Sequence, residues 1–413
     1  MSGPLSKRRV VVTGIGLASP IGNSLEAVTE SLLAKRHGIV PMPNWAHIGQ
    51  LQARLAGCVQ GIEASDFPRK KVRTMGRVGV LSVYATEQAV QDAGLTEAQI
   101  SNVRTGMAYG STHGSSTELE AFCRTLFEGE SLAGLAGSTY LKFMSHTCAA
   151  NLAQYYGIRG RVVPTVAACA SASQGIGLGY EAIAFGQQDV MLCGGAEEMH
   201  FVHAGVFDIV FAASSKYNDR PELTPRPYDA DRDGLVVAEG AGTLVLEEYE
   251  TAKARGAHIY AEIVGYGTCC DGTHVTSPSV DGMAHAMELA LQDARLSGDA
   301  IQYVNAHGTG TEVGDIAESL ATLRVLGDRV PVSSTKSYTG HTLGACGAIE
   351  AGFCFAAMRE GFLPVNRNLE QLDPRCAKLD FIVGEHRRQK LELVMSNNFA
   401  FGGINTSLIF KSL

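Results

Sequence analysis

Four segments of this sequence carry side chains that could do chemistry, and an apolar run leads into each. In the first, Val162-Val163-Pro164-Thr165-Val166 passes through Ala167-Ala168 to Cys169, and Ala170-Ser171-Ala172-Ser173-Gln174-Gly175 continues as an amphipathic stretch. The pattern predicts a strand, a turn at Cys169 and then a helix. A thiol at a helix N-terminus is favoured as thiolate by the dipole and the free amide groups, which suits a nucleophile. The same segment also fits a buried structural cysteine at a crowded crossing.

The second segment, Val304-Asn305-Ala306-His307-Gly308-Thr309-Gly310-Thr311, places an imidazole at a strand end between small residues. Such a histidine is open to a substrate, or it is satisfied by its own surroundings. The third runs from Val332-Ser333-Ser334-Thr335-Lys336 through Gly340-His341 to Glu350. A buried lysine needs a carboxylate, and Glu350 is the nearest candidate. The fourth, Asn398-Phe399-Ala400-Phe401-Gly402-Gly403, frees backbone amides beside an aromatic residue. It reads as part of an oxyanion hole or as a plain hairpin turn before the last strand.

The elements that must position these groups alternate. Apolar spacing predicts helices at about 77–94, 115–129, 172–187 and 281–295, with short apolar strands between them, hence a parallel or mixed sheet covered on both faces. Val10-Val11-Val12-Thr13-Gly14-Ile15-Gly16 is echoed by Ile263-Val264-Gly265-Tyr266-Gly267, and the helix and strand that follow continue the echo. Two similar halves, 1–255 and 256–413, are expected to form one body. Gly14-Ile15-Gly16 lacks the third glycine of a dinucleotide fingerprint, so it is weak evidence for a nicotinamide site.

Composition limits the alternatives. Hydrophobic residues make up 45% of the 413, which allows a sizeable core, and the net charge of -8 gives no reason to expect nucleic-acid binding. The ten cysteines include no C-x-x-C pair and read as reduced thiols. Lys7-Arg8-Arg9 before an apolar run suggests a signal peptide, but the run breaks at once. No stretch approaches the roughly 18 uninterrupted apolar residues of a spanning helix. The expectation is a cytoplasmic protein. No His/Cys group has metal-ligand spacing along the chain.

In this order the four segments resemble the elongating β-ketoacyl-(acyl carrier protein) synthases, types I and II of bacterial fatty-acid synthesis, over nearly the whole chain. Asn305-Ala306-His307-Gly308-Thr309, Ser333-Ser334-Thr335-Lys336, Gly340-His341 and Phe401-Gly402-Gly403 look like that family's signatures. So do Arg226-Pro227-Tyr228-Asp229, Arg232-Asp233-Gly234 and Glu239-Gly240-Ala241-Gly242, taken as scaffold. The resemblance implies an α/β thiolase fold, with two duplicated halves in a five-layer αβαβα arrangement. It implies decarboxylative condensation of an acyl thioester with a malonyl thioester. Cys169 would hold the acyl chain, with the amides of Cys169 and Phe401 as oxyanion hole. His307 and His341 would assist decarboxylation, supported by Lys336 and Glu350. Thr309 and Thr311 would contact phosphopantetheine, which the acyl carrier protein supplies, so no bound cofactor or metal is implied. The expected assembly is a homodimer, or a heterodimer with a related subunit.

The remaining site expectations concern the substrate. His113, Asp208, Phe399 and Phe401 are expected around the acyl pocket, with Asp208 as one possible partner for the His113 ring. Ala400, where the family often has Gly, would stiffen the gate that carries Phe401, and the polar pair makes a polyketide-like, aryl-bearing or conjugated acyl group the competing substrate. The basic stretch Arg69, Lys70, Lys71 and Arg73 is expected to dock the acidic carrier, or to be a solvated helix end. A degradative thiolase would need a second cysteine in the last glycine-rich loop, which has none. An initiating synthase would pair one His with an Asn. A non-catalytic chain-length subunit would lack the nucleophile, and Cys169 is present.

Overall fold

The computed structural model describes residues 7–413. The first half supplies strands β1 (Val10–Ala18), β2 (Thr105–Gly110), β3 (Val162–Thr165), β4 (Val190–Glu197) and β5 (Gly240–Glu248). Its main helices are α1 (Arg77–Ala93), α2 (Thr147–Tyr156), α3 (Ser171–Ala184) and α4 (Phe201–Ile209). The second half supplies β6 (Ala261–Cys270), β7 (Tyr303–Asn305), β8 (Pro331–Ser333), β9 (Leu393–Phe399) and β10 (Ile404–Lys411). Its helices are α5 (Val280–Ala294), α6 (Glu312–Leu326) and α7 (Cys346–Glu360).

In space the strands run β3-β2-β4-β5-β1-β6-β10-β9-β7-β8, with the two-residue strand Asp380–Phe381 at the far edge. Read outward from the β1–β6 junction, both halves have the same order and the same directions. β2 is parallel to β3 and β4, and β4 is antiparallel to β5; β7 is parallel to β8 and β9, and β9 is antiparallel to β10. Pro164 is accommodated because β3 is an edge strand, which does not need every ladder donor.

Helices α3 and α7 touch each other and share one hydrophobic core with both half-sheets. Helices α1 and α2 cover the outer face of the first half, and α5 and α6 that of the second. The layers are therefore α, β, α, β, α, the thiolase arrangement. The repeated Gly-x-Gly has a packing cause. A Cβ at Gly14 or Gly16 would stand 2.2 or 1.8 Å from a carbonyl of α1, and one at Gly265 or Gly267 would stand 2.3 or 2.0 Å from a carbonyl of α5. These glycines let an outer helix lie against its strand. No helix among the described residues is long and apolar enough to cross a membrane.

Candidate active site

The central helices deliver the chemistry. Both begin after a one-turn 3-10 helix, Ala168–Ala170 before α3 and Leu343–Ala345 before α7. Ala168 and Leu343 both take left-handed backbone angles, φ +47° and +46°. Non-glycine residues there carry strain of about 1–3 kcal/mol, sustained by their surroundings. The Ser171 hydroxyl bonds the Ala167 N–H and the Ala168 carbonyl at 2.9 and 2.7 Å, closing the first turn. Cys169 sits on that turn, and His341 just before the equivalent turn of the other half.

His341 Nε2 lies 3.0 Å from Cys169 Sγ. His307, on the loop after β7, stands edge-on to His341 with ring centroids 5.1 Å apart. The sulfur and one nitrogen from each imidazole fall within 4.8 Å of one another, and all three residues are buried. They open onto a cavity of about 340 Å³, lined also by Phe399, Phe401, Phe207, Thr309, Thr311 and Val275. The Thr309 and Thr311 hydroxyls are 2.9 Å apart. The structure thus brings together residues that lie far apart in sequence.

Hydrogen bonding assigns the tautomer of His341. Its Nδ1 accepts the Leu343 N–H at 3.3 Å, so the neutral ring carries its proton on Nε2, facing the sulfur. Burial and the Lys336 charge hold both imidazoles well below the usual histidine range, so both are neutral. The main-chain amides of Phe401 and Cys169 favour negative charge on the sulfur. Sequence spacing showed no metal-ligand group, yet a Cys/His/His cluster forms here because three separate loops converge. It does not fit a resident metal. A ligating imidazole normally donates its other N–H outward. Here His341 Nδ1 accepts a hydrogen bond, and His307 Nδ1 is buried with no partner.

One expectation changes. The turn position favoured a thiolate, but burial pushes the Cys169 thiol up to about 11, against the downward pull of Lys336 and the Phe401 amide. The resting group is a neutral thiol.

Lys336 and Glu350 form a buried ion pair, and Asn398 Nδ2 donates to the second carboxylate oxygen of Glu350 at 2.7 Å. Burial opposes the lysine charge, but Glu350 outweighs it and holds the Lys336 pKa above the ordinary value. Replacing Glu350 with alanine leaves a buried ammonium without its counter-charge. The expected loss is about 3–5 kcal/mol of unfolding free energy, measured by chemical denaturation. A loss below about 1 kcal/mol, the range of exposed pairs, would contradict the pairing.

Glu318, on α6, was not found from the sequence. Its carboxylate accepts the His307 and Gly308 N–H groups at 2.7 and 2.6 Å and the Tyr228 hydroxyl at 3.0 Å. Burial pushes its carboxyl up to about 7. No spacing rule links a mid-helix glutamate to a strand-end histidine. Asn398 was visible within the fourth segment, but its bond to Glu350 was not. The scaffold segments are tied by ion pairs, Arg226 with Asp229 at 3.1 Å and Arg232 with Asp373 at 2.7 Å.

Neither His113 nor Asp208 lines the Cys169 cavity of the single chain, and the two do not hydrogen-bond each other. His113 Nε2 bonds the Ser116 hydroxyl at 3.0 Å and faces His203 Nε2 at 3.4 Å. The Asp208 carboxylate instead accepts the Gln52 and Ala53 N–H groups at 2.8 and 3.3 Å, capping that loop. Arg69, Lys70, Lys71 and Arg73 are exposed on and just after the short helix Arg69–Val72, outside the Cys169 cavity. Lys71 lies over the Tyr155 ring at 4.4 Å.

Comparison with known proteins places the chain. Residues 7–252 match the family described as Beta-ketoacyl synthase, N-terminal domain, and residues 260–370 match Beta-ketoacyl synthase, C-terminal domain. The chain belongs to the β-ketoacyl synthase family. It is 40% identical over 405 residues to the 3-oxoacyl-[acyl-carrier-protein] synthase 1 of Haemophilus influenzae, covering 98% of this chain and 99% of that one. A solved β-ketoacyl synthase from Burkholderia phymatum STM815 superposes with a TM-score of 0.95 at 51% identity, covering 98% and 100% of the two chains. The ishigamide ketosynthase/chain length factor gives a TM-score of 0.90 at 33% identity, with the same coverage. For a β-ketoacyl synthase the observed thiolase architecture is the expected one.

Proposed function

We propose that this β-ketoacyl synthase makes 3-oxoacyl thioesters for fatty-acid synthesis by condensing an acyl group with a malonyl group, both delivered on an acyl carrier protein. The observation that carries the reading is the buried thiol with two neutral imidazoles on one cavity. Cys169 sulfur attacks the acyl thioester carbonyl, the carrier's sulfur leaves as its thiol with the proton that Cys169 gives up, and the acyl group rests on Cys169. The Cys169 and Phe401 amides receive the charge on the carbonyl oxygen. The malonyl thioester then loses carbon dioxide, and its electron pair forms an enolate. His307 and His341, neutral and lacking a strongly acidic proton, offer hydrogen bonds to that oxygen without quenching the carbanion. The carbanion attacks the Cys169 thioester, a carbon–carbon bond forms, the carbon–sulfur bond breaks, and the departing Cys169 thiolate takes up one proton from solvent to regenerate the thiol. Thr309 and Thr311 bind the phosphopantetheine arm, and Phe399 and Phe401 border the acyl chain.

Incubation with acyl-carrier and malonyl-carrier substrates should release carbon dioxide and a 3-oxoacyl-carrier product in equal amounts, read by mass spectrometry. Carbon dioxide without the condensed product overturns the reading. The fatty-acid assignment is supported by the higher identity to the Haemophilus influenzae synthase than to the ishigamide protein. A preference for conjugated or polyketide-like acyl groups would reassign the pathway.

In this reading Arg69, Lys70, Lys71 and Arg73 meet the acidic carrier. Reversing the charge of Arg69 and Arg73 should raise KM for carrier-bound substrate about tenfold at low ionic strength and far less at high salt, with kcat held. An unchanged KM would place docking elsewhere. The working assembly is a homodimer. Strand β3 ends the sheet, with Val162 on it and Val166 just after it 38% and 43% exposed, an unpaired edge of the kind a second copy covers. The mass in solution, by light scattering, checks this, and a stable monomer contradicts it.

A further inference from the structure

The two turns that carry Cys169 and His341 come from different halves, and their separation is a catalytic variable. One buried side chain grips the main chain beside both. Glu197, the last residue of β4, is fully buried. A single carboxylate oxygen, Oε2, accepts the Thr112 N–H at 3.0 Å and the Gly344 N–H at 3.1 Å. Gly344 lies in the 3-10 turn three residues after His341, next to Leu343, whose N–H sets the His341 tautomer. Thr112 follows Ser111, whose carbonyl accepts the Ser171 hydroxyl at 3.2 Å, and that hydroxyl closes the Cys169 turn.

The local fold is shaped around this grip. A Cβ at Gly344 would stand 2.7 Å from the Thr112 nitrogen and 2.8 Å from Ser111 Cα. A Cβ at Gly195, on β4, would stand 2.4 Å from the Gly344 carbonyl oxygen. Two glycines thus bring the His341 turn down onto the end of β4, where Glu197 holds it. We propose that Glu197 is a positioning residue that sets the spacing between Cys169 and His341 by anchoring the His341 turn directly at Gly344 and the Cys169 turn through Thr112, Ser111 and the Ser171 hydroxyl. Its other oxygen, Oε1, is buried without a partner. Burial pushes the carboxyl up to about 8, so the group is mostly protonated at pH 7 and its accepting oxygen acts there largely as a carbonyl. A glutamine side chain supplies the same carbonyl oxygen with the same reach.

The proposal rests on the condensation reading. Wild-type enzyme that fails to condense refutes that reading, whereas active wild type with indifferent variants refutes only the role of Glu197. Three variants, E197Q, E197D and E197A, are compared at pH 7 by steady-state condensation and by amide hydrogen exchange at Thr112 and Gly344. E197Q should keep kcat within about threefold of wild type, with both amides protected. E197A should lower kcat about 10- to 100-fold, the scale of a displacement near 1 Å, while KM for the carrier substrates stays put because the cavity walls are untouched. E197D, too short to reach both amides, should fall between, and it decides the matter if E197A does not fold. The proposal is overturned if E197D and E197A keep wild-type kcat, if E197Q is as impaired as E197A, or if the loss appears in KM with both amides still protected.

Discussion

Replacing Cys169 with alanine is expected to abolish acyl loading and to lower condensation on the order of 10⁴-fold or more, the scale of losing a covalent nucleophile. Among the described residues Cys169 is the one cysteine lining the reaction cavity. The neighbouring Cys346 is also buried, but its thiol bonds the Cys169 carbonyl at 3.1 Å, and burial with the Glu350 charge holds it well above the ordinary thiol range. In wild type, peptide mapping after incubation with acyl-carrier substrate should therefore find the acyl group on Cys169 alone. Acyl transfer to another cysteine with Cys169 free would refute the assignment. The pH dependence has a definite sign. A thiol raised to about 11 is protonated throughout the neutral range. Its thiolate fraction, and with it the rate of iodoacetamide labelling, should climb about tenfold per pH unit from pH 7 to 9. A plateau beginning below pH 8 would mean that the surrounding donors outweigh burial.

The second large effect belongs to His341. Its Nε2–H is aimed at the reacting centre, and its charge is suppressed by burial and by Lys336. His341→Ala should still load acyl groups but condense about 10²- to 10³-fold more slowly, the cost of removing one preorganised oxyanion donor. Loading is read by intact mass, decarboxylation by released carbon dioxide and condensation by product formation. Collapse of loading with normal malonyl decarboxylation would reverse the proposed roles. His341→Gln, which keeps an N–H donor without a titrating ring, should recover part of the loss if hydrogen bonding carries the effect. The two histidines also couple stability to pH. Both are harder to protonate folded than unfolded. The unfolded chain therefore takes up more protons as pH falls below its ordinary histidine value of about 6.5, and stability declines below that point.

Much of the site was legible because each reactive side chain follows a strand, and strand ends announce themselves. Apolar runs give way to Gly, Ser and Thr at Cys169, His307 and His341, and the helix after Cys169 begins at Ser171, close to the expected 172. The helices expected at about 77–94 and 281–295 are Arg77–Ala93 and Val280–Ala294, since an amphipathic period over several turns is a strong local signal. The Gly-x-Gly echo was visible, while its cause, two outer helices lying on two strands, needed coordinates.

Other features were beyond local pattern. Glu318 and Glu197 accept backbone amides 11 and 147 residues away in sequence, and a side chain that accepts amide protons leaves no periodicity to read. That Asp208, one candidate partner for His113, binds elsewhere was hidden for the same reason. Both are polar residues near the expected pocket, but only the packing shows that Asp208 caps the loop at Gln52 and His113 turns to Ser116.

By itself, the sequence determined the alternating α/β class, the turns on which the thiol and imidazoles stand, and the pairing of Lys336 with Glu350. These follow from local periodicity, turn chemistry and the cost of burying an unpaired charge. Only the tertiary structure decided that the turns from two halves close to 3.0 Å between Cys169 and His341, and that His341 carries its proton on Nε2. It also decided that burial leaves the cysteine a neutral thiol. Those properties depend on distance, desolvation and which amide faces which side chain, and none of these exists until the chain is folded.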